Sequence, residues 1–504
     1  MKKILIIMIS LLILPSAIST NWYVDNAVAS SGNGQSWNTA WKAFSNINWA
    51  SVQPGDTIYI SGGSNQKIYY EGISVGKSGT INAYIKITKG TDSEHNGRVI
   101  INGQQNTLQN GVDFSQDAYV IVSNLEITQT TRGVWIHGSS HDIIVDSMKI
   151  YDYYDHAGIA ANGWTSNNRF GVENITLRNN YVRGDLQVTG QTDNTYFLGV
   201  DNLLIENNTF IVNNSIVEGY SDNIQTQNVG NAIIRNNILI NYIGNGDQGI
   251  IGNFANNALT NSISRVEIYN NVIIFPNTAP LGARAILIRY YDWYISSGLP
   301  DIYIYGNSIY ANDGVSGIAL QLPATVKNNI IYATNGMVFG NDNMGYNMSV
   351  NRVSNNLIYR SGGYSNNGIE GTWNGNGLTI ARPTYNQWVN TLGGTPFITS
   401  NPDYVNPNNL DLTLQSNSPA IDAGVALSVP YNVAIDGVSR PQGAAWDIGA
   451  YEYMSGSTTF HPADTSQNGC IELNEISAYV NLWLQGSVSL TDVSEAVNIW
   501  IGGC

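Results

Sequence analysis

Charge is what this chain has least of. Of its 504 residues only 12% are Asp, Glu, Lys or Arg, about half the share in an ordinary soluble protein. A charge-driven disordered chain is excluded, because such chains carry few aromatics and 10% of this one is aromatic. Basic residues number 22 against 37 acids, a formal charge of −15, so no basic face exists for a nucleic-acid backbone. Cysteine occurs twice, at Cys470 and Cys504. The preceding chain must therefore be held by packing and backbone pairing, and the two cysteines are expected to staple a terminal module too small to hold itself. With 14 prolines the chain is neither collagen-like nor a Pro-rich linker.

Long apolar runs are also missing. The stretch Ile4–Leu14 covers 11 residues, short of the roughly 20 that span a bilayer. It follows Met1-Lys2-Lys3 and precedes the small-residue zone Pro15–Thr20. That pattern predicts a signal peptide over residues 1–20 and a secreted, extracellular or surface location without a transmembrane anchor.

What the chain has in excess is Asn, 66 residues, beside 51 Gly and 30 Tyr. The asparagines recur at one phase of a repeat. Alternating apolar residues lead into Asn179-Asn180, Asn207-Asn208, Asn236-Asn237, Asn270-Asn271, Gly306-Asn307, Asn328-Asn329 and Asn355-Asn356, with degenerate copies at Asn124 and Ser147. From 124 to 355 eight intervals span 231 residues, about 29 each. Period-two alternation means strands with one buried face. Asn tolerates the left-handed backbone of a sharp bend, and its amide can bond to its own copy about 4.8 Å away on the next coil. The architecture predicted is all-β: a parallel β-helix, a solenoid whose coils bury their faces on their neighbours.

The repeat, with Trp22-Tyr-Val-Asp25, Ser36-Trp-Asn-Thr-Ala-Trp41 and Pro54-Gly-Asp-Thr-Ile-Tyr-Ile60, resembles the secreted right-handed β-helix proteins of the pectate-lyase-like superfamily. The segments Ser418-Pro-Ala-Ile-Asp422-Ala-Gly424, Asp436-Gly, Arg440-Pro441 and Asp447-Ile-Gly-Ala-Tyr-Glu452 resemble the choice-of-anchor Q region that closes many such chains. The resemblance covers roughly residues 22–455 and implies a right-handed solenoid over 21–455 with an N-terminal cap. It does not select a chemistry, since this fold hosts lyases, hydrolases, epimerases and adhesins. Asp422, Asp436, Asp447, Glu452 and Arg440 read either as a catalytic cluster or as an ion-pair and turn network at the C-terminal end of the solenoid, the second being preferred.

A second strand precedes each Asn-bearing one. It reads Gly133-Val-Trp-Ile-His137, Gly158-Ile-Ala-Ala-Asn162, Asn223-Ile-Gln-Thr-Gln227, Gly249-Ile-Ile-Gly-Asn253, Ala285-Ile-Leu-Ile-Arg289 and Gly317-Ile-Ala-Leu-Gln321. The second residue is always Val or Ile and points inward, so the third and fifth point outward. The fifth-position column is His137, Asn162, Gln227, Asn253, Arg289 and Gln321, joined by Gln225 and edged by Tyr153, Tyr154, Tyr290, Tyr291 and Trp293. Such a line suits an extended extracellular polysaccharide, whose rings stack on aromatics and whose hydroxyls bond to amides.

For catalysis in that groove the candidates are Asp222, Asp247, Arg289 and His156. A uronan lyase needs a base and a neutralised carboxylate, with Ca²⁺ on Asp222 and Asp247 as one means of neutralising it. No lysine occurs between Lys149 and Lys327, so the base would be Arg289, His156 or a tyrosine. A hydrolase would use two carboxylates, and Asp222 and Asp247 fall at equivalent turns of adjacent coils. Neither the polygalacturonase runs nor those of the classical pectate lyases are present. Lyase or glycosidase stands beside a non-catalytic glycan-binding, adhesion or scaffold role.

The C-terminal residues 456–504 carry the most specific motif. Asp464, Ser466, Asn468 and Glu475 match positions 1, 3, 5 and 12 of an EF-hand loop, with Gly469 at the turn and Cys470 offering its carbonyl to Ca²⁺. The run Ile471–Leu484 recurs 17 residues later as Val488–Ile501, predicting two amphipathic helices. Cys504 can close onto Cys470. The segment resembles a dockerin-like module, which implies a cohesin-like protein partner. The second calcium loop usual in such modules is replaced by Gly486-Ser-Val.

Overall fold

The computed structural model describes residues 19–502 apart from 155, 165–170, 185–191, 214–220, 243–247, 255–264, 278–282, 291–299, 313–314, 321, 323, 334–338, 342–352, 362–368, 376–377, 382–397, 455–460, 466–470, 485–487 and 489. Residues 1–18 of the expected signal peptide, and Cys470 and Cys504 of the expected disulfide, lie outside these. The chain falls into two compact units, Met1–Pro441 with Ala445–Glu452, and Gln442–Ala444 with Tyr453–Cys504.

Alternating apolar residues put the first unit into three long sheets. Sheet I has 12 strands from Ile73–Ser74 to Leu378–Ala381, sheet II has 12 from Asn21–Val24 to Val353–Ser354, and sheet III has 11 from Gln66–Tyr69 to Leu357–Arg360. One coil illustrates the winding: Arg132–His137 in sheet I, His141–Asp146 in sheet II, Lys149–Tyr151 in sheet III, then His156–Asn162 back in sheet I. Strands pair in parallel with those one coil away, except Leu378–Ala381, which closes sheet I antiparallel to Ile369–Gly375. The result is the right-handed parallel β-helix expected, the hand that parallel crossovers almost always take. In sheet I the inward column runs Val112, Val134, Ile159, Thr195, Ile224, Ile250, in register and buried.

The Asn pairs divide two tasks that the sequence leaves joined. The first member turns the corner from sheet II to sheet III: Asn179, Asn207, Asn236, Asn270, Asn328 and Asn355 have φ between 53° and 58°, and Gly306 has 57°. This is the left-handed region that Asn and Gly enter at least cost. The second member points inward. Asn180, Asn208, Asn237, Asn271, Asn307, Asn329 and Asn356 are at most 2% exposed. The backbone N–H and side-chain amide of each donate to the Oδ1 of the next, at 2.8–3.1 Å. The remaining amide hydrogen goes back to a carbonyl of the preceding coil, as from Asn237 to Ile205 O at 2.9 Å. Each inner member of the ladder therefore uses both donors and receives two bonds, which is what burial of an amide demands.

The closing segment holds the expected ion-pair network in a different place. Arg440 donates to Glu452 at 2.8 Å and to the Gly449 carbonyl at 2.7 Å, with both side chains almost wholly buried. The segment lies along the flank of sheet II, where Tyr431 meets Tyr269 and Tyr305 edge-on and donates to Glu267 at 2.8 Å. Asn328 bonds both N–H and C=O of Val425. The physical reason is that the turn-forming Asn side chains there project outward and offer amides that a strap of chain can satisfy.

In the second unit the predicted helices are Leu473–Leu484 and Leu490–Gly502. Ile476, Tyr479, Val493 and Ala496 form their common core. Trp483 and Trp500, at equivalent positions of the repeat, are 37% and 40% exposed.

The two members of an Asn pair should respond oppositely to substitution. Asn236→Gly keeps the left-handed turn and should shift stability by less than about 1 kcal/mol. Asn237→Gly takes the acceptor from the Asn208 backbone N–H and side-chain amide and the side-chain donor from the Ile205 carbonyl, leaving Asn271 Oδ1 with the backbone N–H alone, and should cost about 3 kcal/mol or more. Urea unfolding followed by far-ultraviolet circular dichroism decides this; equal losses would show that the ladder is not what the pair maintains.

Candidate functional site

Strand pairing in sheet I fixes which outward side chains lie beside one another. One outward column is Asp113, Trp135, Ala160, Tyr196, Gln225, Ile251, Leu287 and Ala319. The other is Ser115, His137, Asn162, Leu198, Gln227, Asn253 and Arg289. His137, Asn162, Gln225 and Gln227 are half-buried and share the face on which the sequence placed them. The Tyr196 hydroxyl donates to Gln227 Oε1 at 3.1 Å, so a ring and an amide brace each other across one coil step.

The column departs from expectation in three places. Leu198 interrupts the amides between Asn162 and Gln227. Asn253 is only 2% exposed, and Ile251, Leu287 and Ala319 close into a buried apolar cluster. Tyr153 does not edge the groove but is buried, its hydroxyl bonded to Asn194 Oδ1 at 2.7 Å. The open polar stretch thus runs from Asp113 to Gln227, five coils or about 19 Å at strand spacing. Arg289 is exposed, one coil beyond Asn253.

Of the four catalytic candidates, Asp222 is 3% exposed and its Oδ1 accepts the Gln248 N–H at 2.6 Å. It stacks on Asp193, whose Oδ1 accepts the Asp222 N–H at 2.8 Å. The residue in register with Asp222 is therefore Gln248, one later than the Asp247 read as its equivalent. Asp247, Gln321 and Tyr291 lie outside the described residues. His156 opens the strand His156–Asn162 and Tyr290 closes Arg284–Tyr290, with their side chains outside the description.

The densest ionisable cluster on this face is one the sequence reading missed. Asp113 Oδ1 lies 3.0 Å from His137 Nε2, and Asp113 Oδ2 accepts from the Asn110 amide at 2.6 Å. The His137 ring stacks on Trp135 at 5.6 Å and 26°, and the Arg132 guanidinium sits 4.7 Å from the Trp135 ring centre. Asp117 follows in the next turn, taking the Ser115 N–H at 2.8 Å. Burial pushes the Asp117 carboxyl up to about 6; Asp113 adds to the rise, while the Ser115 N–H and His137 oppose it. The signal was present in Gly111-Val-Asp-Phe-Ser115, one more copy of the strand motif.

In the second unit Asp464 and Glu475 are both 4% exposed, although residues 453–504 contain no Lys or Arg. Glu475 accepts from Thr465 Oγ1 at 2.8 Å and from the Glu472 N–H at 3.0 Å. Oxygen donors of this kind are the ligand type a hard cation such as Ca²⁺ takes. Ser466, Asn468 and Cys470 lie outside the described residues, and among those described no three His, Cys, Asp or Glu side chains gather as a metal site.

The Asp117 carboxyl is held above its unfolded value of about 4, so the folded state binds that proton more tightly. Its stabilising contribution is present below pH 4 and is lost as pH rises through about 6. Asp117→Asn should raise stability at pH 7 by about 1–2 kcal/mol, after allowing for solvent at the neighbouring pair, and leave pH 4 nearly unchanged. Denaturant titrations at the two pH values measure it; a variant weaker than the parent at pH 7 would mean that the fold needs the ionised form.

No protein-family model and no curated protein matches the sequence. Among solved structures the chain is similar to pectate lyase Pel9A, at 16% identity over 86% of this chain and 97% of that one, with a TM-score of 0.40. It is similar to XylC, solved in complex with xylose, at 8% identity over 86% and 98%, TM-score 0.42. A rhamnogalacturonan lyase is similar at 13% identity over 67% and 87%, TM-score 0.37. The fold itself rests on the strand pairing above, and no groove residue is carried across from any of these proteins.

Proposed function

We propose that the solenoid unit is exported and binds an extended extracellular polysaccharide along sheet I, acting on it as a lyase or glycosidase. The observation that carries this reading is the outward face from Asp113 to Gln227. Over five coils it offers amides, a carboxylate, an imidazole and aromatic rings at regular spacing on a rigid support. An array of that kind matches a chain of sugars, which presents hydroxyls and apolar ring faces in alternation. A non-catalytic binding or adhesion role is the second reading. It is favoured by the burial of Asp222 and its engagement with a backbone N–H, which takes it out of a two-carboxylate mechanism.

The C-terminal unit serves in this proposal as a calcium-stabilised docking module, with Asp464, Ser466, Asn468, Glu475 and the Cys470 carbonyl around the ion. Leu482 and Trp483 in the first helix, and Ile499 and Trp500 in the second, are exposed at equivalent positions of the 17-residue repeat. This pair of apolar steps supports a cohesin-like protein partner. No helix among the described residues is long and apolar enough to cross a membrane.

The secreted protein incubated with a panel of uronans and neutral glycans should bind at least one of them. An enzyme adds unsaturated products or new reducing ends; binding without either leaves the adhesion role, and no binding sinks both. Chelation should lower the melting transition of the full chain's C-terminal helices by several degrees, with calcium restoring it. An unmoved transition would remove calcium from the unit.

A further inference from the structure

We propose that His137, oriented by Asp113, is the general base of the sheet I groove, a deepening that rests on the glycan-groove reading above. The elements come from two adjacent coils. Asp113 lies on the strand Asn110–Ser115 and His137 on Arg132–His137, and parallel pairing sets Trp135 opposite Asp113 and His137 opposite Ser115. The carboxylate therefore reaches the imidazole diagonally, one coil step and two residues away.

The geometry selects a tautomer for the neutral ring. A carboxylate oxygen 3.0 Å from Nε2 is an acceptor, so the ring proton resides on Nε2. Nδ1 is then the unprotonated nitrogen, and no described residue bonds to it. The ring is held at a second point by Trp135, stacked at 5.6 Å. Asp113 is itself fixed through its other oxygen by the Asn110 amide. A base whose tautomer and orientation are both set, on a strand rather than a loop, loses little freedom when it acts.

The site remains open to a ligand. The side chains of His137 and Asp113 are 33% and 28% exposed, and His137 leads directly to Asn162 on the next coil. A glycan bonded along Asn162 and Gln227 would present its end to Nδ1. In the step proposed, one proton leaves the bound sugar for Nδ1, and the electron pair that it leaves stays on the sugar. The resulting imidazolium faces the Asp113 carboxylate, with Arg132 and Asp117 as the other charged or titratable groups packed against the pair. Asp113 is a positioning residue; His137 is the residue that touches the substrate.

The alternatives in the described groove are weaker. Asp222 is buried on a backbone N–H and Asp117 is 5% exposed, so the carboxylate that opens on the described strand face is Asp113. It is already engaged by two donors. Among the described residues of these outward columns, the neutral nitrogen base is His137.

The test uses the full chain with polygalacturonate, alginate and xylan. On whichever glycan the parent turns over, His137→Gln should lose about 10²- to 10⁴-fold in kcat, with glycan Kd within threefold. Asp113→Asn should lower kcat and move the acidic limb of the pH profile, and Asp113→Glu should recover part of the loss. Nitrogen-15 spectra of the parent, which contains five histidines, should show the neutral ring of His137 protonated at Nε2 and not at Nδ1. This readout does not depend on a variant folding. A proton on Nδ1 of the neutral ring, unchanged kcat in His137→Gln, or a loss confined to Kd would overturn the base assignment and leave the groove standing. A parent that binds no glycan overturns the groove and this inference together.

Discussion

From Asn180 to Asn356 the solenoid depends on one buried bond repeated coil after coil: an asparagine N–H to the Oδ1 of the asparagine above it. An unpaired amide inside an apolar core costs several kcal/mol, so a slip of one coil by a single residue would strand three donors and two acceptors at once. Apolar stacking alone would not penalise that slip so steeply, because Ile, Val and Leu pack in many registers. The ladder from Asn180 to Asn356 thus acts as the register lock for all three sheets.

Register at the ladder becomes geometry at the groove. Sheet I lies on another side of the coil, yet from Asn180 onward its columns align because each coil is tied at the sheet II–III corner. That is why the Tyr196 hydroxyl meets Gln227; the earlier coils, which set Asp113 beside Trp135, carry Leu125 and Met148 at that corner and are aligned by strand pairing and apolar packing. The same lock explains the cost of interior polar groups elsewhere. Thr195 and Thr226 occupy inward positions that are otherwise apolar, and each hydroxyl finds a carbonyl of the next coil, Asn223 O and Ile251 O. The stack supplies a partner at the same height every time.

The repeat was legible because it has a period; the groove was legible only where its strands keep the repeat's spelling. Six strands were found by a Val or Ile in second place. The coil Thr192–Leu198 carries Thr195 there, so it was passed over, and with it Tyr196 and the interrupting Leu198. Gly111–Ser115 does follow the pattern, but it lies before the first Asn-Asn pair, where the repeat has no clear phase. Tyr153 was misplaced for a different reason. A tyrosine beside a turn reads as exposed, and nothing local announces that Asn194, 41 residues on, will offer it a buried acceptor. Pairings across long sequence distances, such as Tyr431 with Glu267, are invisible to any local pattern.

The scarcity of charge follows from the same stacking. A residue in a parallel coil meets its own counterpart about 4.8 Å above and below, where like charges repel and are destabilising. A charged column is tolerated when its signs alternate. The outward column of sheet II does this: Asp146, Arg178, Glu206 and Arg235 are consecutive, with Asp146–Arg178 and Glu206–Arg235 bonded. Arg235 then ends on the Tyr269 hydroxyl at 2.8 Å rather than on another charge. Neutral Asn, Thr and Tyr avoid the problem altogether, and a chain of many coils accumulates them. Against that background Asp113 beside His137 is a costly arrangement to keep half-exposed on the one face where neutral amides would have served. Strand pairing and the inward Val112–Val134 column already set the register of these two coils. A return in chemistry is what its geometry, with one nitrogen bound and the other open, is suited to give.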